Sequence, residues 1–228
     1  MRKNTRMLLF LFFSFILFGN CILSYAKENK SISSDETTVF IGREEYNLPC
    51  KLDIFLKNGW KISEKKFNMD PYRTEYWYEV RYTLSCKENG TKLIPWGTAI
   101  RTLEKNGSYL EVEVENRSDE ISKVENSTVQ QILVLKKHIK EEVKLKNGLS
   151  LQKFEIEKLW KDGEPQKYFF SEGWMISQTD YLKELGFFEE IFYKIVEQKE
   201  QAITFYYDKE EKVFGIKIRN DVGGNQIK

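Results

Sequence analysis

The residue types that could do chemistry are few and scattered. The one histidine, His138, lies inside the charged stretch 136–146. A Ser-His-Asp or Cys-His nucleophile would have to use it, yet neither Cys50 nor Cys86 has a nucleophile-like setting and no Gly-x-Ser-x-Gly occurs. Zinc favours clustered His and Cys, and one His with separated cysteines offers no such cluster. Asp119-Glu120 and Glu210-Glu211 lack the alternating acids of a calcium loop. There is no glycine-rich phosphate loop. His138 therefore reads as a solvated surface residue, and no catalytic, cofactor-binding or metal-binding residue is expected. Carboxylates are the exception, because a glycosidase needs only two of them, roughly 5–10 Å apart. Glu111, Glu113 and Glu115 alternate with Leu110, Val112 and Val114, so they read as a solvated row on the outer face of a strand. A carboxylate-dependent hydrolase stays as the weaker alternative to a non-catalytic role.

Binding is the stronger expectation. The stretch 75–87 alternates Tyr76, Tyr78, Val80, Tyr82, Leu84 and Cys86 with mostly polar residues, the period of a strand. Trp77 breaks the pattern by sharing the polar face with Glu79 and Arg81. An exposed aromatic among charges is a common interface anchor, so Trp77, Glu79 and Arg81 are the candidate partner-binding residues. The competing reading has a second layer covering that face.

Charge narrows the partner. The first seven residues hold Arg2, Lys3 and Arg6 and no acid, 7–18 is apolar except Ser14, and Ser24-Tyr25-Ala26 is a small-x-small exit. These are the parts of a secretory signal peptide cleaved after Ala26. Lipidation at Cys21 and retention of the apolar run as an anchor are the alternatives, although that run is at the short limit for a span. Removing the three basic residues leaves 33 Lys+Arg against 35 Asp+Glu in the mature chain, a net charge of −2. Interleaved, near-neutral charge gives no field for steering a polyanion, so nucleic acid is not an expected partner. Membrane contact is expected only through a retained or lipidated N-terminus. Outside the cytoplasm Cys50 and Cys86 could pair, closing a loop worth roughly 3–4 kcal/mol, or remain buried thiols. The Asn-x-Ser/Thr triplets at Asn29, Asn89, Asn106, Asn116 and Asn126 are glycan acceptors only in a eukaryotic secretory chain.

The elements that would position these residues emerge from periodicity. After a polar leader, 27–36, come a strand at 38–41, a short helix carrying Leu52, Phe55 and Leu56, a short strand from Trp60, the strand 75–87 with an Asn89-Gly90 turn, and an Asn106-Gly107 turn leading into 110–114. A strand at 129–135 and a solvated connection at 136–148 come next. The second half, 147–228, reads as a helix at 151–161 and a three-strand meander, 191–196, 202–207 and 213–219. A helix over 180–196 competes with the first of these strands. Gly59-Trp60-Lys61-Ile62-Ser63 recurs as Gly173-Trp174-Met175-Ile176-Ser177, as a duplication into 37–146 and 147–228 would give, and as chance would also give. The class expected is α+β: antiparallel sheets with a few short helices on one face, in two similar halves.

Two groups of residues carry a resemblance. Gly42-x-x-x-Tyr46-x-Leu48-Pro49 with Asn58-Gly59-Trp60, and Val114-Glu115-Asn116-Arg117-Ser118, look like the opening of a group of uncharacterised exported proteins and lipoproteins of Gram-positive bacteria. Asn147-Gly148-Leu149-Ser150, Gly163-Glu164-Pro165, Thr204-Phe205-Tyr206-Tyr207 and Val213-Phe214-Gly215-Ile216 resemble the helix-plus-sheet modules related to β-lactamase-inhibitor-protein and outer-membrane-lipoprotein assembly domains. The resemblance implies an exported, non-catalytic binding protein of the cell envelope, with inhibition of an extracellular enzyme as the alternative. It implies no catalytic residue and no cofactor.

Overall fold

The computed structural model describes residues 37–146, 148–152, 173–178, 186–196, 199–210 and 212–221. The signal peptide with its cleavage after Ala26, Cys21, the leader 27–36 and all but the start of the expected helix 151–161 lie outside the described residues. In chain order the elements are β1 (Thr38–Ile41), β2 (Glu44–Asn47), β3 (Cys50–Lys51), α1 (Leu52–Lys57), β4 (Lys61–Ile62), α2 (Glu75–Thr83), β5 (Cys86–Lys87), β6 (Lys92–Leu93), β7 (Thr98–Lys105), β8 (Ser108–Glu115), β9 (Ser122–Lys123), β10 (Thr128–Leu135), β11 (Val143–Leu145), β12 (Met175–Gln178), β13 (Phe187–Val196), β14 (Lys199–Asp208) and β15 (Val213–Asn220). The protein is mostly antiparallel sheet, with two short α-helices among the described residues.

The main sheet runs β12-β13-β14-β15-β10-β8-β7-β4, with β3 also paired to β10. Two small sheets flank it, β11-β1-β2 and β5-β6-β9. Asn106-Gly107 turns β7 into β8 with φ of 52° and 75°, the left-handed pair that a two-residue hairpin turn needs. The meander β13-β14-β15 forms as the β-branched and aromatic pattern predicts, and the competing helix does not form over 187–196.

Both faces of the main sheet are covered, so its charged residues meet protein as well as its apolar ones. The first face carries Val112, Val114, Ile132, Val134, Ile203, Phe205, Ile216 and Ile218, packed in one cluster with Leu52, Phe55, Trp60 and the residues of β1 and β2. The second face carries Glu111, Leu133 and Lys217 in one cross-strand row, with Leu135 and Tyr206 in the next. Asn220 closes the first side by donating to Thr37 Oγ1 (2.7 Å) and to the Leu48 carbonyl (2.6 Å).

Three expectations change. The connection 136–148 contains β11, paired to β1 through Val143 and Leu145. Strands from 37–146 and 147–228 join through the β10–β15 pair, so the boundary near 146 does not separate two sheets. The third change is the stretch 75–87, which begins as α2. Thr74 caps it, its Oγ1 accepting from the Trp77 N–H at 3.4 Å. At the other end the buried Arg101 donates to the Tyr82 carbonyl (3.1 Å) and lies 4.4 Å under the Tyr82 ring. The alternation of aromatic residues suits a strand, but a capped first turn and an arginine at the last turn supply partners that only a helix uses.

Candidate functional site

The sequence-predicted trio divides on α2. Trp77 is 57% exposed and Tyr76 71% exposed, with their rings 5.6 Å apart edge to face. Leu84, one residue past the helix and 76% exposed, comes after Trp77 at a spacing of seven, so both lie along one side of the helix. Glu79 and Arg81 also reach the rest of the fold. Glu79 pairs with Lys66 at 3.1 Å, and Arg81 pairs with Glu113 of β8. The polar residues thus fasten the helix while the aromatic pair stays free. The expected strand geometry, with Trp77 opposite Tyr76, is replaced by side-by-side rings.

Between β4 and α2 the chain forms a strap, residues 64–74, lying over the second face of the main sheet. Phe67 and Met69 enter an apolar cluster with Leu133, Leu135, Phe187 and Tyr206. Asp70-Pro71-Tyr72-Arg73 makes a turn, with Arg73 N–H bonded to the Asp70 carbonyl at 3.1 Å and Tyr72 N–H to Asp70 Oδ1 at 3.0 Å. Arg73 then reaches down to Glu111 Oε1 at 2.9 Å and back to Asp70 at 3.4 Å, and Lys217 of β15 lies 3.7 Å from Asp70. Glu189 of β13 is hydrogen bonded by Tyr72.

Glu111 is therefore not a solvated surface acid. It is 1% exposed, and Glu113 beside it is 8% exposed. Alternation correctly puts both opposite Val112, but the opposite face is roofed as well. Burial pushes the Glu111 carboxyl up to about 7, Arg73 pulling it only part of the way back. Glu189 is also raised, by burial above all, and burial lifts the Tyr206 phenol well above its ordinary value. Tyr206 Oη is buried without a hydrogen-bond partner, which is costly in a dry interior, whereas the backbone of Met69 in the strap adds a hydrogen bond to the Glu111 carboxylate beside that of Arg73. This cluster can hold a proton near neutrality, but its carboxylate is shut off from solvent. Sequence reasoning missed Asp70, Arg73, Glu189, Tyr206 and Lys217. The signals for the strap were the Asp70-Pro71 turn and Thr74 standing three residues before Trp77.

The remaining candidates are dispersed. Cys50 and Cys86 are both free thiols in this structure. Cys50 lies in β3 beside Val129 of the main sheet, and burial pushes its thiol up to about 12. Cys86 belongs to a different sheet, opposite Leu93, where its Sγ accepts from Arg101 at 3.0 Å. His138 is half-buried rather than solvated, its ring 5.1 Å from Phe67 of the strap, and burial lowers its pKa. Among the described residues no group of acids, histidines and cysteines has the arrangement of a metal site. A cleft of about 430 Å³ lies at the β4 edge between Lys61, Ser63, Lys65, Glu104 and Lys105. Ser63 donates to Glu104 and Lys105 pairs with Glu44, so these groups bind one another. No protein-family model matches the chain, nor does any curated protein or solved structure.

Proposed function

We propose that this chain is an exported, non-catalytic binding protein of the bacterial cell envelope, meeting a protein or cell-wall component through the outer side of α2. The observation that carries the reading is the exposed Tyr76–Trp77 pair on a helix that Glu79 and Arg81 tie to Lys66 and Glu113. Rigid aromatic side chains give a large contact area at small entropic cost, which is why they dominate interface energetics. The reading takes the protein to act outside the cytoplasm and to need no cofactor. It also takes the two halves as similar, because the two Gly-Trp-x-Ile-Ser copies enter opposite edge strands of the main sheet, β4 and β12, each with a buried tryptophan.

The test is binding of the labelled chain to isolated Gram-positive cell walls and to intact cells before and after protease treatment. Trp77→Ala is expected to weaken binding at least tenfold, a typical hot-spot loss, whereas Lys57→Ala on the exposed end of α1 leaves it unchanged. Equal binding by both variants would remove α2 as the contact surface. A carboxylate-dependent hydrolase is the weaker reading: Glu111 and Glu189 are both raised and share Asp70 as a neighbour, but Glu111 is buried under the strap, so a substrate would reach it only with the strap displaced. Raised acids in a cluster are a common catalytic signature. Release of reducing ends from purified cell-wall glycan, abolished by Glu111→Gln, would favour it.

A further inference from the structure

The turn between β6 and β7 puts a large aromatic residue where a small one is ordinary. It closes with the Gly97 N–H on the Ile94 carbonyl at 3.0 Å, so Pro95 is its second residue and Trp96 its third. Trp96 has φ of 55°, a left-handed backbone that glycine or asparagine adopts easily at this place and a bulky residue only with strain. Nor does the indole fill the core, because Trp96 is 43% exposed. Its N–H is donated to Asp119 Oδ1 at 2.9 Å, which fixes the ring against the loop after β8. Strained residues of this kind cluster at binding sites.

The surroundings of Trp96 are apolar and acidic. The buried Asn116 donates to the carbonyls of Leu93 (3.2 Å), Ile94 (3.0 Å) and Glu120 (2.7 Å), and so ties the segment 119–121 to the Trp96 turn. Pro95 and Ile121 are exposed, as are Asp119 and Glu120. Among the described residues neither acid has an ion-pair partner. The basic residues nearby are placed otherwise. In the β6–β9 pair Leu93 faces Ser122 and Lys92 faces Lys123. The run from Leu93 on to Trp96 therefore lies beside the run from Ser122 back to Asp119, and the two lysines stand at the other end of the pair. Lys92 is paired with Glu88 at 2.7 Å, and Arg117 with Glu115 at 2.6 Å. A ring with two unpaired carboxylates beside it suits a cation. The ring attracts an ammonium or guanidinium within about 6 Å of its centroid, and the acids supply charge-assisted hydrogen bonds.

We propose that Trp96, Asp119, Glu120 and Ile121 form a second docking surface, which takes a lysine- or arginine-bearing segment of a partner protein. The cation lies over the Trp96 ring with its charge toward Asp119 and Glu120, and an apolar neighbour in the segment covers Pro95 and Ile121. The hydrogen bond from Trp96 to Asp119 holds the ring in place before the partner arrives, so little side-chain freedom is lost on binding. Opposite charges on the two sides make the encounter faster at low salt. The surface shares no residue with the Tyr76–Trp77 side of α2, and it stands whether or not that side meets a partner.

Fluorescence anisotropy of a labelled peptide of alternating lysine and leucine, titrated with the full chain, tests it. The same peptide with glutamate in place of lysine is the control. The lysine peptide is expected to bind, more weakly as salt is raised, and to shift the Trp96 indole N–H resonance. Asp119→Asn combined with Glu120→Gln removes both charges while the asparagine oxygen still accepts the indole hydrogen bond, and should weaken binding at least about tenfold. Trp96→Gly, which suits a positive φ, should weaken it as much and keep the fold, as thermal unfolding will show. Trp77→Ala should leave this binding unchanged. Equal binding of the two peptides, or wild-type affinity in either variant, overturns the proposal. So does no measurable binding of the lysine peptide, or binding of an uncharged chitin oligosaccharide alone. If Trp96→Gly fails to fold, the variant without the two charges decides. A loss seen with Trp77→Ala alone overturns this inference in favour of α2.

Discussion

Trp77→Ala should be a mild change to the fold and Trp60→Ala a severe one. Core tryptophan truncations cost about 3–5 kcal/mol. Trp77 is 57% exposed, so somewhat under half of its surface touches protein, and scaling the core cost gives about 1.5–2 kcal/mol. Alanine, the better helix former, returns about 0.5 kcal/mol in the middle of α2. The expected net loss is about 1–1.5 kcal/mol. Trp60 is 1% exposed, packs in the main cluster and donates its indole N–H to the Tyr46 hydroxyl at 3.0 Å. Its removal should cost the full core value, with a further penalty because Tyr46 loses a donor. Urea unfolding followed by circular dichroism measures both, with unchanged m-values as the sign that two-state unfolding is kept. A Trp77→Ala loss above about 3 kcal/mol would show a covered α2 surface and refute an exposed anchor. A Trp60→Ala loss no larger than that of Trp77→Ala would refute the assignment of the core.

Gly215→Ala should destabilise by about 1–3 kcal/mol through overpacking, because its new Cβ would lie 2.5 Å from Leu135 Cδ2 and 3.2 Å from the Val134 carbonyl; thermal unfolding checks this, and an unchanged midpoint contradicts it. Thiol labelling of unreduced protein in denaturant should modify both Cys50 and Cys86, and protection of both would mean that they pair. Native labelling should be slow at Cys50, whose thiol burial holds near 12, since the thiolate is the reacting form. Expressed in a Gram-positive host, the chain should leave the membrane with Lys27 as its first residue, and an intact mass retaining Met1 or carrying lipid on Cys21 would exclude that cleavage.

Much of the main sheet was legible in the sequence because its signals are local. Asn106-Gly107 specifies a tight turn, β-branched and aromatic runs specify β8, β10 and β13–β15, and the spacing of Leu52, Phe55 and Leu56 with Asn58-Gly59 specifies α1 and its end. Alternation also placed Glu111 and Glu113 correctly on the face opposite Val112. Whether that face met water was not a local matter. It depended on a strap some forty residues earlier in the chain folding across β8 and β15, and no periodicity in 64–74 announces it. The same holds for 75–87, whose aromatic alternation fits a strand although the segment begins as a helix. Only the Thr74 cap, the Glu113 carboxylate that receives Arg81 and the guanidinium of Arg101 at the last turn made the helix the lower-energy state. Local sequence determined the turns and most of the strands of the main sheet. Tertiary contacts decided which charges were buried, because the cost of burying a carboxylate is set by what lies over it rather than by its neighbours in sequence.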